Sequence, residues 1–79
     1  MASTEIEIEY CVPCGFLNRA MEVCEAVLTA FGDDVDRVSL VTGHDGVFEV
    51  RVDGDRVFEK HEDEYDVDAI VRRVRSALR

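Results

Sequence analysis

Glu5-Ile6-Glu7-Ile8-Glu9-Tyr10-Cys11-Val12-Pro13-Cys14-Gly15-Phe16 is the stretch that decides the fold. Its first half alternates polar and apolar residues, the period of a strand with one face buried. From Gly15 to Phe31 the apolar residues recur instead at spacings of three and four, the period of a helix. A strand therefore hands over to a helix, and two thiols separated by two residues sit at the handover. Such a pair can close a small ring, and the positive end of a helix favours thiolate over thiol. Pro13 presets a backbone angle suited to the first helical turn and lacks the N–H that would go unpaired there. Cys11 and Cys14 thus read first as a dithiol–disulfide redox pair.

Outward from this junction, Leu17, Ala20, Met21, Cys24, Val27, Leu28 and Phe31 form the apolar stripe of the first helix, which ends at Gly32. Arg37 to Val41 is a short second strand, and Thr42-Gly43-His44-Asp45-Gly46 is a turn by composition. Val47 to Val52 alternates again. Asp53-Gly54 suits a two-residue hairpin, because both positions tolerate positive φ, so Arg56 to Glu59 returns antiparallel. His61 to Tyr65 is an acidic loop. Asp66 is placed to cap a last helix with the stripe Val67, Ile70, Val71, Val74 and Leu78, acidic at its start and arginine-rich at its end. The order β-α-β-β-β-α, with a right-handed crossover joining parallel strands one and two, predicts an α/β fold. The expected architecture is a thioredoxin-like two-layer sandwich: a four-stranded mixed sheet with two helices on one face. Cys11 and Cys14 then fall at the carboxyl end of the first strand, the sheet edge where ligands usually bind.

Size and charge narrow the function. At 79 residues the chain is read as one domain, residues 1–79. A net charge of −9 with Lys60 as the sole lysine disfavours phosphate-rich partners, so neither nucleic acid nor an anionic membrane is expected. Arginine preferred to lysine on so acidic a chain suits a salty, halophilic cytoplasm. No signal-like leader and no run long enough for a membrane span are evident, and an odd set of three cysteines argues against a secreted disulfide scaffold. The expected setting is a reducing cytoplasm, with a monomer favoured.

Tyr10-Cys11-Val12-Pro13-Cys14-Gly15-Phe16 resembles the Tyr-Cys-x-x-(Cys or selenocysteine)-Gly-(Tyr or Phe) motif of the selenoprotein W-like, or Rdx, family. Gly46-Val47-Phe48-Glu49-Val50 is similar to that family's Gly-x-Phe-Glu-Val strand, and Asp53-Gly54 stands where its next turn falls. The resemblance runs from about Glu5 to Leu78. It implies a thioredoxin-like fold and thiol-based redox chemistry without a cofactor, acting on a protein or low-molecular-weight thiol or disulfide. It also puts Cys14 where some members carry selenocysteine, which favours Cys14 over Cys11 as the attacking group. Pro13 is the only proline, so no cis-proline loop can face the pair, and Thr42 to Gly46 is expected in that place. Val12, Pro13, Phe16, Thr42, Gly43 and His44 are the candidate partner contacts. His44 in that loop could also assist proton transfer, although a solvated loop histidine is the plainer account. No basic residue stands beside the pair in sequence.

Two other readings compete. A metal site would need more ligands than one Cys-x-x-Cys provides, and Cys24 lies ten residues past Cys14, about 15 Å along a helix. Cys24 falls within the apolar stripe and reads as an inert core cysteine. A redox-sensitive interaction module is the remaining alternative, with Arg56 to Lys60 as an exposed sheet edge. The chain ends without the terminal diglycine of a ubiquitin-like modifier.

Overall fold

The computed structural model describes residues 4–61 and 63–78. Its elements are β1 (Glu5–Cys11), α1 (Leu17–Phe31), β2 (Arg37–Gly43), β3 (Phe48–Val52), β4 (Asp55–Glu59) and α2 (Val67–Leu78). The strands form one sheet in the order β2-β1-β3-β4, with β1 and β2 parallel and the other pairs antiparallel. This is the thioredoxin-like β-α-β-β-β-α arrangement expected from the sequence. β4 is an edge strand, as the hairpin implied.

The alternation of β1 and β3 sorts the two faces of the sheet. Ile6, Ile8, Tyr10, Phe48, Val50 and Val52 are all buried against the helices. Helix α1 covers β1 and β2, α2 covers β4 and β3, and the helices pack on each other. The Phe48 ring is the hub of the aromatic packing, with Phe16, Phe58 and Tyr65 edge-on to it at 6.1, 6.1 and 5.8 Å.

On the opposite face, Glu9 stands directly across from Glu49. Like charges at that spacing repel, and Arg51 resolves the conflict. Its guanidinium donates to Glu7 at 3.0 Å, to Glu9 at 3.2 Å and to Glu49 at 3.0 Å. Burial opposes the charge on Arg51, but these hydrogen bonds and carboxylates outweigh it and hold its pKa above the ordinary arginine value.

Turn chemistry follows the sequence closely at one place. Asp53 and Gly54 take φ of 51° and 89°, the paired positive angles of a tight hairpin. Asp66 caps α2 as expected, accepting from the Ala69 N–H at 3.2 Å.

Helix α1 departs from expectation in its orientation. Its buried residues are Ala20, Val23, Val27 and Phe31, whereas Leu17, Met21 and Leu28 are about half exposed. Val23 sits one turn from both Ala20 and Val27, and this narrower row meets the sheet. The row Leu17, Met21, Cys24 and Leu28 is therefore a flank of the helix, with Cys24 half-buried at the edge of the core.

Candidate functional site

Cys11 is the last residue of β1 and has no accessible surface. It is held from both sides. In register it pairs with Gly43 of β2, and its N–H donates to the Val47 carbonyl at 2.8 Å. The Val12 N–H then donates to the Gly43 carbonyl at 3.1 Å.

Past Val12 the chain turns back on itself. The Gly15 N–H donates to the Val12 carbonyl at 3.2 Å, which makes Val12-Pro13-Cys14-Gly15 a four-residue turn. Proline suits the second position, where φ is close to the value its ring imposes. Gly15 has a φ of +76°, a left-handed angle that glycine adopts freely and that a right-handed helix excludes. Helix α1 therefore begins at Leu17, not at Gly15, and Cys14 lies in the turn ahead of it. The pair stands between strand and helix, and the expected place of Pro13 at the first helical turn is corrected to the turn before it. Phe16 occupies the cap position without a side-chain cap bond.

Cys11 and Cys14 are joined by a disulfide, with Cα atoms 5.4 Å apart. Its two ends differ sharply: Cys11 is sealed beneath the strand ends, and Cys14 is exposed. Val12 and Pro13 are exposed beside it.

The expected Thr42–Gly46 turn is also corrected. Thr42 and Gly43 extend β2, paired with Tyr10 and Cys11. The chain reverses over His44 to Val47, where Asp45 and Gly46 take φ of 63° and 79° and the Val47 N–H donates to the His44 carbonyl at 3.3 Å. Gly43 is needed for close packing inside the molecule. A Cβ there would lie 2.7 Å from Val47 Cγ1 and 2.9 Å from Glu9 Oε2. Glycine at this position lets the ends of β1, β2 and β3 close around Cys11. His44 is exposed, and no hydrogen bond or ion pair of its side chain occurs among the described residues.

Phe16 is half-buried, its ring edge-on to Phe48 and so part of the core margin. Two cations stack over that ring, Arg19 at 5.0 Å and Lys60 at 5.4 Å. Arg19 also lies over the Tyr65 ring at 5.1 Å, and the Tyr65 hydroxyl donates to Glu22 at 2.7 Å. Burial first, then this hydrogen bond and the Glu22 charge, push the phenol pKa well above its ordinary value, so Tyr65 stays protonated. Sequence inspection found no cation near the pair, because Lys60 is remote in the chain and Arg19 belongs to the first helical turn. Tyr65 was hidden in a segment that reads as acidic loop.

Cys24 is the only free thiol among the described residues, and no cluster of three or more potential metal ligands occurs among them. Two clefts, one between Phe31 and Leu78 and one between Arg56 and Arg73, are lined by none of the residues of this turn. Among the described residues no helix is long and apolar enough to cross a membrane.

Comparison with known proteins agrees with this fold. A model of the Rdx family matches residues 5–76. A crystal structure of a protein from Bordetella parapertussis superposes with a TM-score of 0.89, is 29% identical, and covers 96% of this chain and 99% of its own. That of a selenoprotein W-related protein from Vibrio cholerae superposes with a TM-score of 0.89 over 99% of this chain and 100% of its own, at 24% identity. No curated protein matches the chain.

Proposed function

The chain belongs to the Rdx family, the selenoprotein W-like group, and from that premise we propose that it is a thiol–disulfide oxidoreductase with Cys11 and Cys14 as its redox pair. The observation that carries the proposal is the asymmetry of the disulfide. Exchange requires a thiolate to approach a disulfide sulfur from outside. Only the Cys14 end is open to such an approach, since Cys11 has no accessible surface.

Roles follow from access. In the reduced protein the Cys14 thiolate attacks a substrate disulfide, breaking its S–S bond and releasing one substrate thiol. Cys11 then gives up its proton and attacks Cys14 Sγ. This forms the Cys11–Cys14 bond and releases the second thiol, so two electrons pass from the pair to the substrate. This order assigns attack to Cys14 and resolution to Cys11. Backbone N–H groups at the start of α1, left without helical partners, favour the thiolate. The substrate in this reading is a protein or low-molecular-weight disulfide, met in the cytoplasm by a monomer, with no role for nucleic acid or membranes.

The test is a redox titration of the purified protein, with alkylation and mass-mapped peptides. Joint loss of alkylation at Cys11 and Cys14 near the thioredoxin range, roughly −270 mV, supports the proposal. In Cys11→Ser, a mixed disulfide should accumulate on Cys14. Thiols that stay reduced across the range would refute it. They would move the function to partner binding, for which the half-exposed Leu17, Met21 and Leu28 offer an apolar row.

A further inference from the structure

The cations of this chain are spent unevenly. Arg37 pairs with Glu5, Arg51 with three glutamates, Arg56 with Glu49 and Arg73 with Asp63. Arg19 and Lys60, like Arg72 and Arg75, form no ion pair among the described residues, and Arg75 lies over the Phe31 ring at 5.5 Å. What sets Arg19 and Lys60 apart is that they share one ring, next to the redox turn. That ring is Phe16, two residues after Cys14. Arg19 is exposed and Lys60 partly so. Two cations are thus held on the ring two residues along the chain from the exposed Cys14, in a molecule whose net charge is −9.

We infer that Arg19 and Lys60 form a carboxylate-recognition site beside Cys14, and that the preferred substrate is a peptide disulfide flanked by acidic residues. This rests on the redox reading above and names its substrate class. Arginine and lysine stacked on an aromatic ring keep their N–H donors free at the edges for an incoming carboxylate. Val12 and Leu17, each 49% exposed, flank the same turn and extend the footprint to the size of a peptide segment. Phe16 fixes both cations, so the site is preformed and little side-chain entropy is lost on binding. The chemistry is the exchange already described: the reduced pair becomes the Cys11–Cys14 disulfide, and the peptide disulfide becomes two peptide thiols.

The whole-molecule charge and the local charge make opposite demands. A net charge of −9 attracts basic peptides from a distance. The Arg19 and Lys60 site selects acidic ones at contact. Pre-reduced protein is mixed in single-turnover experiments with three peptide disulfides matched in length, carrying Asp, Ser or Lys on both sides of the cysteine.

The expected order at about 0.15 M salt, where the net charge is screened beyond about 8 Å, is acidic over neutral by about tenfold, with basic slowest, and the preference should collapse in 0.5 M salt, about a 4 Å screening length. Arg19→Gln with Lys60→Gln should bring the acidic-to-neutral ratio close to one. Arg37→Gln with Arg72→Gln, on β2 and α2, removes the same two charges elsewhere and should keep the ratio. Basic peptides reacting fastest, or a ratio unmoved by the Arg19 and Lys60 changes, would overturn the inference and leave the oxidoreductase reading intact. If none of the three peptides is reduced, both fall together.

Discussion

Reducing the Cys11–Cys14 bond should lower the stability of the protein by an amount set mainly by chain entropy. The bond spans a sequence separation of three. For so short a loop the entropy withheld from the unfolded chain is worth about 2 kcal/mol at 25 °C. Little native enthalpy should be lost with it. The bonds from Cys11 to Val47 and from Val12 to Gly43 are backbone bonds that do not depend on the sulfurs. For a domain of this size about 2 kcal/mol corresponds to a fall in Tm of about 10 °C. The same free energy read in the other direction makes the disulfide about thirtyfold harder to reduce in the folded chain than in the unfolded one. The assay is thermal unfolding followed by circular dichroism with and without a phosphine reductant, on the wild type and on Cys14→Ser. The wild type should drop by about 10 °C on reduction. Cys14→Ser should melt near the reduced wild type and ignore the reductant. A wild-type shift below about 2 °C, or a Cys14→Ser protein that still responds, would refute the reasoning.

Arg51→Met should cost about 1–3 kcal/mol, between the values of exposed and buried pairs, because it strips Glu7 and Glu9 of their cation and leaves Glu49, across from Glu9, with Arg56 alone at 3.7 Å. The deficit, measured by urea unfolding, should shrink in 1 M salt, and a loss independent of salt would contradict the electrostatic account. Asp63 accepts from Arg73 at 2.9 Å and, through that bond and one from the Glu59 N–H, has its pKa held below its ordinary 3.8. A carboxylate depressed in the fold stabilises above its unfolded pKa and loses that contribution as pH falls through the folded one. Asp63→Asn should therefore flatten stability below about pH 4, and an unchanged acid limb in a pH series of melts would count against this. Cys24→Ser should lose about 1 kcal/mol, from polar burial at the core margin, with the redox titration of Cys11 and Cys14 unmoved. Unchanged melting with altered redox behaviour would reverse that assignment.

Strong local signals carried most of the fold into view. Alternation in Glu5 to Tyr10 and in Phe48 to Val52, the paired positive angles of Asp53-Gly54 and the Asp66 cap each depend on a few neighbours and appear where expected. The errors fell where distant segments decide the outcome. The stripe of α1 had two overlapping solutions at helical spacing, and only contact with the sheet selects Val23 over Leu17, Met21 and Leu28. The start of α1 turned on the backbone angle of Gly15, which glycine's freedom leaves open in sequence. The thiol pair itself was legible. Its unequal access was not, because Cys11 is held against Gly43 of β2 and Val47 just ahead of β3, some thirty positions away. The cations over Phe16 were missed for the same reason.

The hydrogen bonding around Cys11 separates an anchor from an arm. The anchor, through the Val12 N–H, is woven into the sheet, whereas the arm, Pro13 to Gly15, is closed by one backbone bond from Gly15 to the Val12 carbonyl. Opening the sulfur bridge removes the one covalent tie between arm and anchor and none of the backbone bonds. The difference between the oxidised and the reduced protein is therefore expected at the two sulfurs and at Pro13 to Gly15. Any molecule that tells the two states apart must read it there, by touching the arm directly.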